Sequence, residues 1–446
     1  MSFRFAFCLL LFLCLPFCVQ AREIFLIGDE ETERLLYSFQ RPLFQKAGLD
    51  ARTVKIRLIK DGSLNAFAVQ GGYVFVHTGL LLKANDAQEV IAVLAHETGH
   101  VAGGHIIRLA GNVERARRNV MISMLLGTLA AAAGGTQAGA AVIAGGMNAA
   151  EGMLAGYRRA EENAADQAAV SLLKATGHDL SGFESVMKKL ERQERLTPEY
   201  KETAFLRSHP AVRERLEFVS EKRKQAKGAS PSDMEAMRRE NEAFKRVQAK
   251  LYAFLEPFDK TFLRYPESDT GIAARYARAI ACYRKGRFDD ALRLTDALIR
   301  DYPSDPYFYE LKGQMLFETG RAEQAVSAYE KASALLHESV LMRIGLAQAQ
   351  IETDRPEMLK AAVKNLEFAA AANSDFPFVR RLQATAYSRT GQDGMAAYAM
   401  AEYHFLNGDM QKAALFARKA LKSLDAGSAA GMRAADISVR SEEDEN

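Results

Sequence analysis

Between Thr53 and His77 apolar and polar residues alternate, first in TVKIRLI and again in YVFVH after Gly71 and Gly72. A period of two predicts two strands of one sheet, with NAFAVQGG between them. From about Asn85 the period becomes helical: AQEVIAVLAHETGHVAGGHIIRLA repeats apolar residues every three or four positions, and Asp86 is placed to cap the first turn. The patterning then stops. From Asn119 to Ala150 there is no charged residue, and Ala, Gly, Leu, Ile and Met dominate. One reading is a membrane span. The pairs Gly134-Gly135 and Gly145-Gly146 interrupt the stretch, however, and Thr136-Gln137 sit at its middle. The pattern favours a helical hairpin turning near Gly134 to Gln137, packed on the core or in peripheral contact with a membrane.

Charge returns from Glu221 to Lys250 around KGASPSD, which predicts an exposed connection into a charged helix and a domain boundary. Beyond it helical spacing repeats. Cys282, Gly286 and Ala291 are matched 34 residues later by Leu316, Gly320 and Ala325, and KGRFDDAL aligns with TGRAEQAV. That period, with glycine at the inter-helix turn and alanine at the close helix contact, is the tetratricopeptide signature. Weaker units follow at Thr353-Asp354, Thr390-Gly391 and Asn407-Gly408. Such stacks form concave surfaces that bind peptides or proteins.

A length of 446 residues predicts two or three domains. The near balance of 59 Lys and Arg against 56 Asp and Glu gives no reason to expect nucleic acid as a partner. MSFRFAFCLLLFLCLPFCVQA has one Arg before an apolar run and the small-residue pattern Val19-Gln20-Ala21, which predicts a signal peptide cleaved after Ala21. A retained anchor would need a longer run, and a lipid anchor at Cys18 would need a smaller residue than Phe17. Cys8, Cys14 and Cys18 fall in this leader, so the mature chain keeps Cys282 alone, without an intrachain disulfide or a cysteine-based zinc site.

HETGH puts His96 and His100 four apart on one helix face, where both imidazoles can reach one metal ion with Glu97 beside the open coordination position. A hydrolytic zinc needs a third protein ligand. His105, five residues beyond His100, lies off that face, and the longer motif with a third histidine three after Gly103 fails at Ile106. The helical segment YRRAEENAADQAAVSLL offers Glu162 with Asp166 one turn on, the latter able to accept the outward N–H of a ligating histidine. Chemistry alone does not separate Glu161 from Glu162.

HETGHVAGGH, the later ENAAD, the upstream NAFAVQGGYVFVHTGLL and the downstream RSHPAVRERL resemble the peptidase family that includes HtpX and the CAAX prenyl endopeptidases. With the leader and the repeats, the chain most resembles that family's periplasmic BepA type. The resemblance implies Glu162 as third zinc ligand and Asp166 as the orienting carboxylate. It implies that His209 approaches the metal, helping the reaction or blocking the water site, and that Arg215 stabilises the oxyanion. The stretch Asn65 to Val76 resembles the family's substrate-side strand, able to pair with an extended peptide. That type has paired cysteines near its C-terminus, which this chain lacks.

The expected fold is mainly α with a small β-sheet: a gluzincin-like zinc peptidase domain followed by an α-helical tetratricopeptide-repeat solenoid. The expected division is a signal peptide at 1–21, a zinc metallopeptidase domain at 22–225, a charged helical linker at 226–265, the repeat domain at 266–425 and a disordered acidic tail at 426–446. The expected function is a periplasmic, zinc-dependent endopeptidase with one Zn2+ per chain, with Glu97 as general base. It would act in cell-envelope quality control and outer-membrane protein assembly, reaching outer-membrane proteins and their assembly machinery through the repeats. The alternative is a chaperone or assembly adaptor whose zinc site is latched shut.

Overall fold

The computed structural model describes residues 25–69, 71–132, 136–196, 209, 212–226, 228–372 and 376–443. The expected leader and its cleavage point lie outside these residues. The architecture is mainly helical with one small sheet, as the periodicities predict. Strands β1 (Leu26–Ile27), β2 (Lys55–Ile59), β3 (Ala66–Val69) and β4 (Tyr73–His77) form a sheet in the order β1-β2-β4-β3. β2 and β4 run parallel, and β3 pairs antiparallel with β4, Phe67 opposite Phe75. The two expected strands thus share a sheet. The segment between them adds a further strand, too short for its alternation to stand out, at the sheet's edge.

Helices α1 (Glu30–Lys46) and α3 (Ala87–Ala102) start at side-chain caps, Asp29 accepting from Thr32 N–H and Asp86 from Glu89 N–H, and the short α2 (Thr78–Lys83) between them starts without one. α3 is buried almost throughout and crosses α5 (Thr136–Ala175), which comes after α4 (His105–Ala132). The crossing is close because Gly99 lacks a side chain: a Cβ there would sit 2.8 Å from the Ala165 carbonyl oxygen. α6 (Ser181–Leu196), α7 (Val212–Lys224) and α8 (Pro231–Leu255) complete this part. Its core joins Leu36, Leu58, Val74, Leu94, Phe183 and Phe244. Phe244 and Val247 belong to α8, so the helix expected to be an exposed linker is packed along one face.

After α9 (Phe258–Arg264), paired helices follow: α10 (Ile272–Arg284) with α11 (Phe288–Asp301), α12 (Pro306–Glu318) with α13 (Ala322–Leu335), and α14 (Val340–Glu352) with α15 (Pro356–Ala372). The series ends with α16 (Pro377–Arg389), α17 (Asp393–Leu406), α18 (Met410–Leu421) and α19 (Ala429–Glu443). The turn positions read from the repeats, Gly286, Gly320, Asp354, Gly391 and Gly408, all have positive φ, from 53° to 80°. The segment expected to be a disordered acidic tail is instead largely α19. Ala434 and Ile437, three apart, are fully buried against the preceding helices, and this packing outweighs the solvation of the acidic end.

α8 is joined to the start of α1 by charged contacts, which Tyr276 of α10 also reaches. Lys250 Nζ lies 2.5 Å from Asp29 Oδ2 and 3.3 Å from Glu31 Oε2, Arg246 Nε lies 2.6 Å from Glu31 Oε1, and Tyr276 O–H donates to Glu31 at 3.2 Å. Glu310 lines a cavity beside Lys250. Burial pushes its carboxyl up to about 8, with Lys250 opposing the rise. Between the ordinary value of 4.5 and about 8 the folded chain therefore holds a proton that the unfolded chain has lost, and this contribution to stability falls as pH rises through that window. Glu310→Gln is expected to be neutral at pH 5 and to stabilise by about 1–3 kcal/mol above pH 8, measured by urea unfolding of the whole chain at both pH values.

Candidate metal centre

His96 and His100 share one face of α3, and α5 crosses that face at Gly99 and brings Glu162 to it. His100 Nε2 lies 3.0 Å from His96 Nε2 and 3.2 Å from Glu162 Oε1, and His96 Nε2 lies 3.4 Å from Glu162 Oε2. His209, just ahead of α7, points its Nδ1 into the same space, 2.9 Å from Glu162 Oε1 and 3.2 Å from His96 Nε2. One ligand atom from each of these four buried residues lies within 4.8 Å of every other. A tetrahedral ion with bonds of about 2.0–2.1 Å needs donors about 3.3–3.4 Å apart, close to these separations. The two-nitrogen, one-carboxylate set with a further imidazole suits a divalent transition metal such as zinc.

Asp166, one turn beyond Glu162, accepts from His96 Nδ1 at 2.9 Å, which leaves Nε2 as the donor atom facing the others. Burial and the Arg215 cation work against protonating His96, but hydrogen bonds to Asp166 and Glu162 outweigh them and push it up to about 9. Burial would raise Glu162, yet His209 and the three imidazole hydrogen bonds hold it far below the usual carboxylate range. Glu97 is raised, mainly by burial, against the pull of His100 and His96. Its Oε2 accepts from Ala68 N–H of β3 at 3.0 Å, and its Oε1 lies 3.6 Å from His209 Nε2. A cleft of about 130 Å³ opens here between Phe67, Ala68, Glu97, His100 and Glu162.

Arg215, expected as the oxyanion stabiliser, is held among the carboxylates of the site, with Nη2 3.4 Å from His96 Nε2. Its guanidinium is 1% exposed and grips Asp166 with Nε and Nη2 at 2.8 and 2.9 Å, while Nη1 lies 2.8 Å from Glu162 Oε2. It does not line the cleft.

Chemistry alone leaves Glu161 and Glu162 unresolved and the resemblance implies Glu162; in the structure Glu162 faces His96 and His100, while Glu161 lies 2.6 Å from His105 Nε2 and 3.0 Å from Arg108 Nη2. His105, rejected as a ligand, folds back over His100, with Nδ1 2.9 Å from His100 Nδ1. With His100 Nε2 turned to the other donors, its Nδ1–H donates to His105, whose Nε2–H donates to Glu161. The turn that allows this uses Gly104 at φ 65° and Gly103, where a Cβ would lie 2.2 Å from His105 Nε2. The adjacent glycines were the legible signal.

Comparison with known proteins places residues 30–223 on the model of Peptidase family M48 and residues 276–335 on that of the Tetratricopeptide repeat. The chain is 24% identical over 359 residues to the Beta-barrel assembly-enhancing protease of Yersinia pestis, covering 80% of this chain and 72% of that one. It is 30% identical over 260 residues to the Putative beta-barrel assembly-enhancing protease of Vibrio cholerae, covering 56% of this chain and about half (51%) of the relative. Metalloprotease LoiP of Escherichia coli is 29% identical over 173 residues, 38% of this chain and 61% of its own.

Removing Arg215 leaves Asp166 and Glu162 buried without their cation. Arg215→Met is expected to destabilise the metal-free protein by about 3–5 kcal/mol, measured by urea unfolding. Unchanged stability with a selective loss of kcat would restore the oxyanion role.

Proposed function

We propose, from the premise that this chain is a metalloendopeptidase carrying a peptidase family M48 domain over residues 30–223, that it holds one zinc ion through His96, His100 and Glu162 and cleaves extended protein segments there. The observation that carries this reading is the convergence of the three donors on one point with Glu97 at its rim. Zinc bound there would supply a Lewis acid for the peptide carbonyl and a lowered pKa for the attacking water. Glu97 Oε1 accepts no hydrogen bond among the described residues, which suits it to take the water proton and pass it to the leaving amine. Asp166 orients His96, and His105 with Glu161 orients His100. Arg215 positions Asp166 and Glu162. The β3 edge, tied to Glu97 through Ala68 N–H, would take an extended peptide as an added strand and lead it past the base.

The tetratricopeptide repeats support protein recognition. With relatives named for β-barrel assembly and a leader-like N-terminus, they support a periplasmic enzyme of envelope quality control. Its clients would be outer-membrane proteins and their assembly machinery. His209 favours a second reading: its Nδ1 lies 3.2 Å from His96 Nε2 and 2.9 Å from Glu162 Oε1, where it would bind the ion in place of water. In that reading the repeats do the main work as a chaperone or adaptor, with the site latched.

Glu97→Gln is expected to retain one zinc per chain while casein cleavage falls on the order of 10²–10⁴-fold; full cleavage by the zinc-loaded variant would falsify the assignment of the base. His209→Ala is expected to raise cleavage by the purified, zinc-loaded protein. A fall would make His209 a participant in the reaction, and no cleavage by either protein would favour the adaptor.

A further inference from the structure

The hairpin of α4 and α5 answers to a different partner. Its helices are paired along their length: Arg108 on α4 meets Glu161 on α5 at 3.0 Å near the root, and further out Gly146 packs so closely that a Cβ would lie 2.0 Å from Ser123 Oγ. Outward from the root, the uncharged stretch leaves large apolar side chains in solvent. On α4 these are Met121, Ile122, Met124, Leu125 and Leu126, each 44–61% exposed, and α5 adds Val142 and Met147. At a helical step of about 100° per residue, the five on α4 spread over more than half the helix circumference. A groove-binding helix presents a single stripe. Apolar exposure on most sides instead suits a surrounding apolar medium.

The adjoining charges say which surface. Directly inward of Asn119 stand Arg115, Arg117 and Arg118, all exposed, and α5 adds exposed Arg158 and Arg159; the acids across this zone are Glu114 and Glu151. Such a collar matches anionic headgroups just where the apolar part begins. The fourteen-residue uncharged part of α4, Asn119 to Ala132, is roughly 21 Å long at 1.5 Å per residue, short of the hydrocarbon core of about 30 Å. Among the described residues no helix is long and apolar enough to cross a membrane. We propose that the hairpin inserts its apolar end into one leaflet of an anionic bilayer, with Arg115, Arg117 and Arg118 at the headgroups. This does not rest on the peptidase reading.

The test is flotation of the zinc-loaded chain, lacking residues 1–21, with vesicles of phosphatidylcholine alone or mixed with phosphatidylglycerol. Binding is expected to need the anionic lipid and to fall with salt. Leu125→Asp with Leu126→Asp should abolish it while leaving zinc content, melting temperature and casein cleavage unchanged. Arg117→Gln with Arg118→Gln should weaken it by roughly fivefold per arginine. The proposal is overturned by no flotation with either vesicle, by flotation that survives the double aspartate variant, or by a dimer in solution that the same variant dissolves, which would make a second copy the occupant.

Discussion

The site depends on burying two carboxylates, Glu162 and Asp166, within reach of each other and of a third, Glu97, with one permanent cation among them. Removing a carboxylate from water costs several kcal/mol unless charge and hydrogen bonds replace the solvent. Arg215 meets both oxygens of Asp166 and one of Glu162, and the imidazoles supply the remaining donors. That leaves more negative than positive charge around the converging side chains, a balance that a divalent cation would restore. The same need explains why Arg215 is turned inward, toward the two carboxylates.

What could be read from the sequence was what local spacing decides. The His96–His100 face, the Asp86 cap and the positive-φ turns of the repeats all depend on neighbours within a few residues, and they appear where the pattern put them. The choice between Glu161 and Glu162 was legible from the resemblance and not from spacing, because it turns on a rotation of about 100° fixed by where α5 crosses Gly99. His105 was discounted as a ligand and lies outside the cluster of donors; what the spacing did not show is that the break at Gly103 and Gly104 sets it against the far nitrogen of His100. The acidic C-terminus misled for a related reason. Its charges suggested solvation, while the burial of Ala434 and Ile437 depends on a helix surface supplied from elsewhere in the chain.

The charged contacts of α8 with the start of α1 are similarly non-local. Arg246 and Lys250 lie on a helix whose sequence reads as a charged linker, yet they meet Asp29 and Glu31 more than two hundred residues away. Charge density along the chain does not separate a solvated face from a buried polar contact until the partner is known.

β3 lies at the edge of its sheet beside Glu97. If extended peptides dock there, they would be recognised through vacant peptide groups instead of a side-chain code, and a client whose strands have all found partners would be passed over. A closed barrel has no free edges, whereas a stalled intermediate exposes them. An enzyme reading its clients in this way would measure how complete their folding is, and sparing the finished product would need no separate signal.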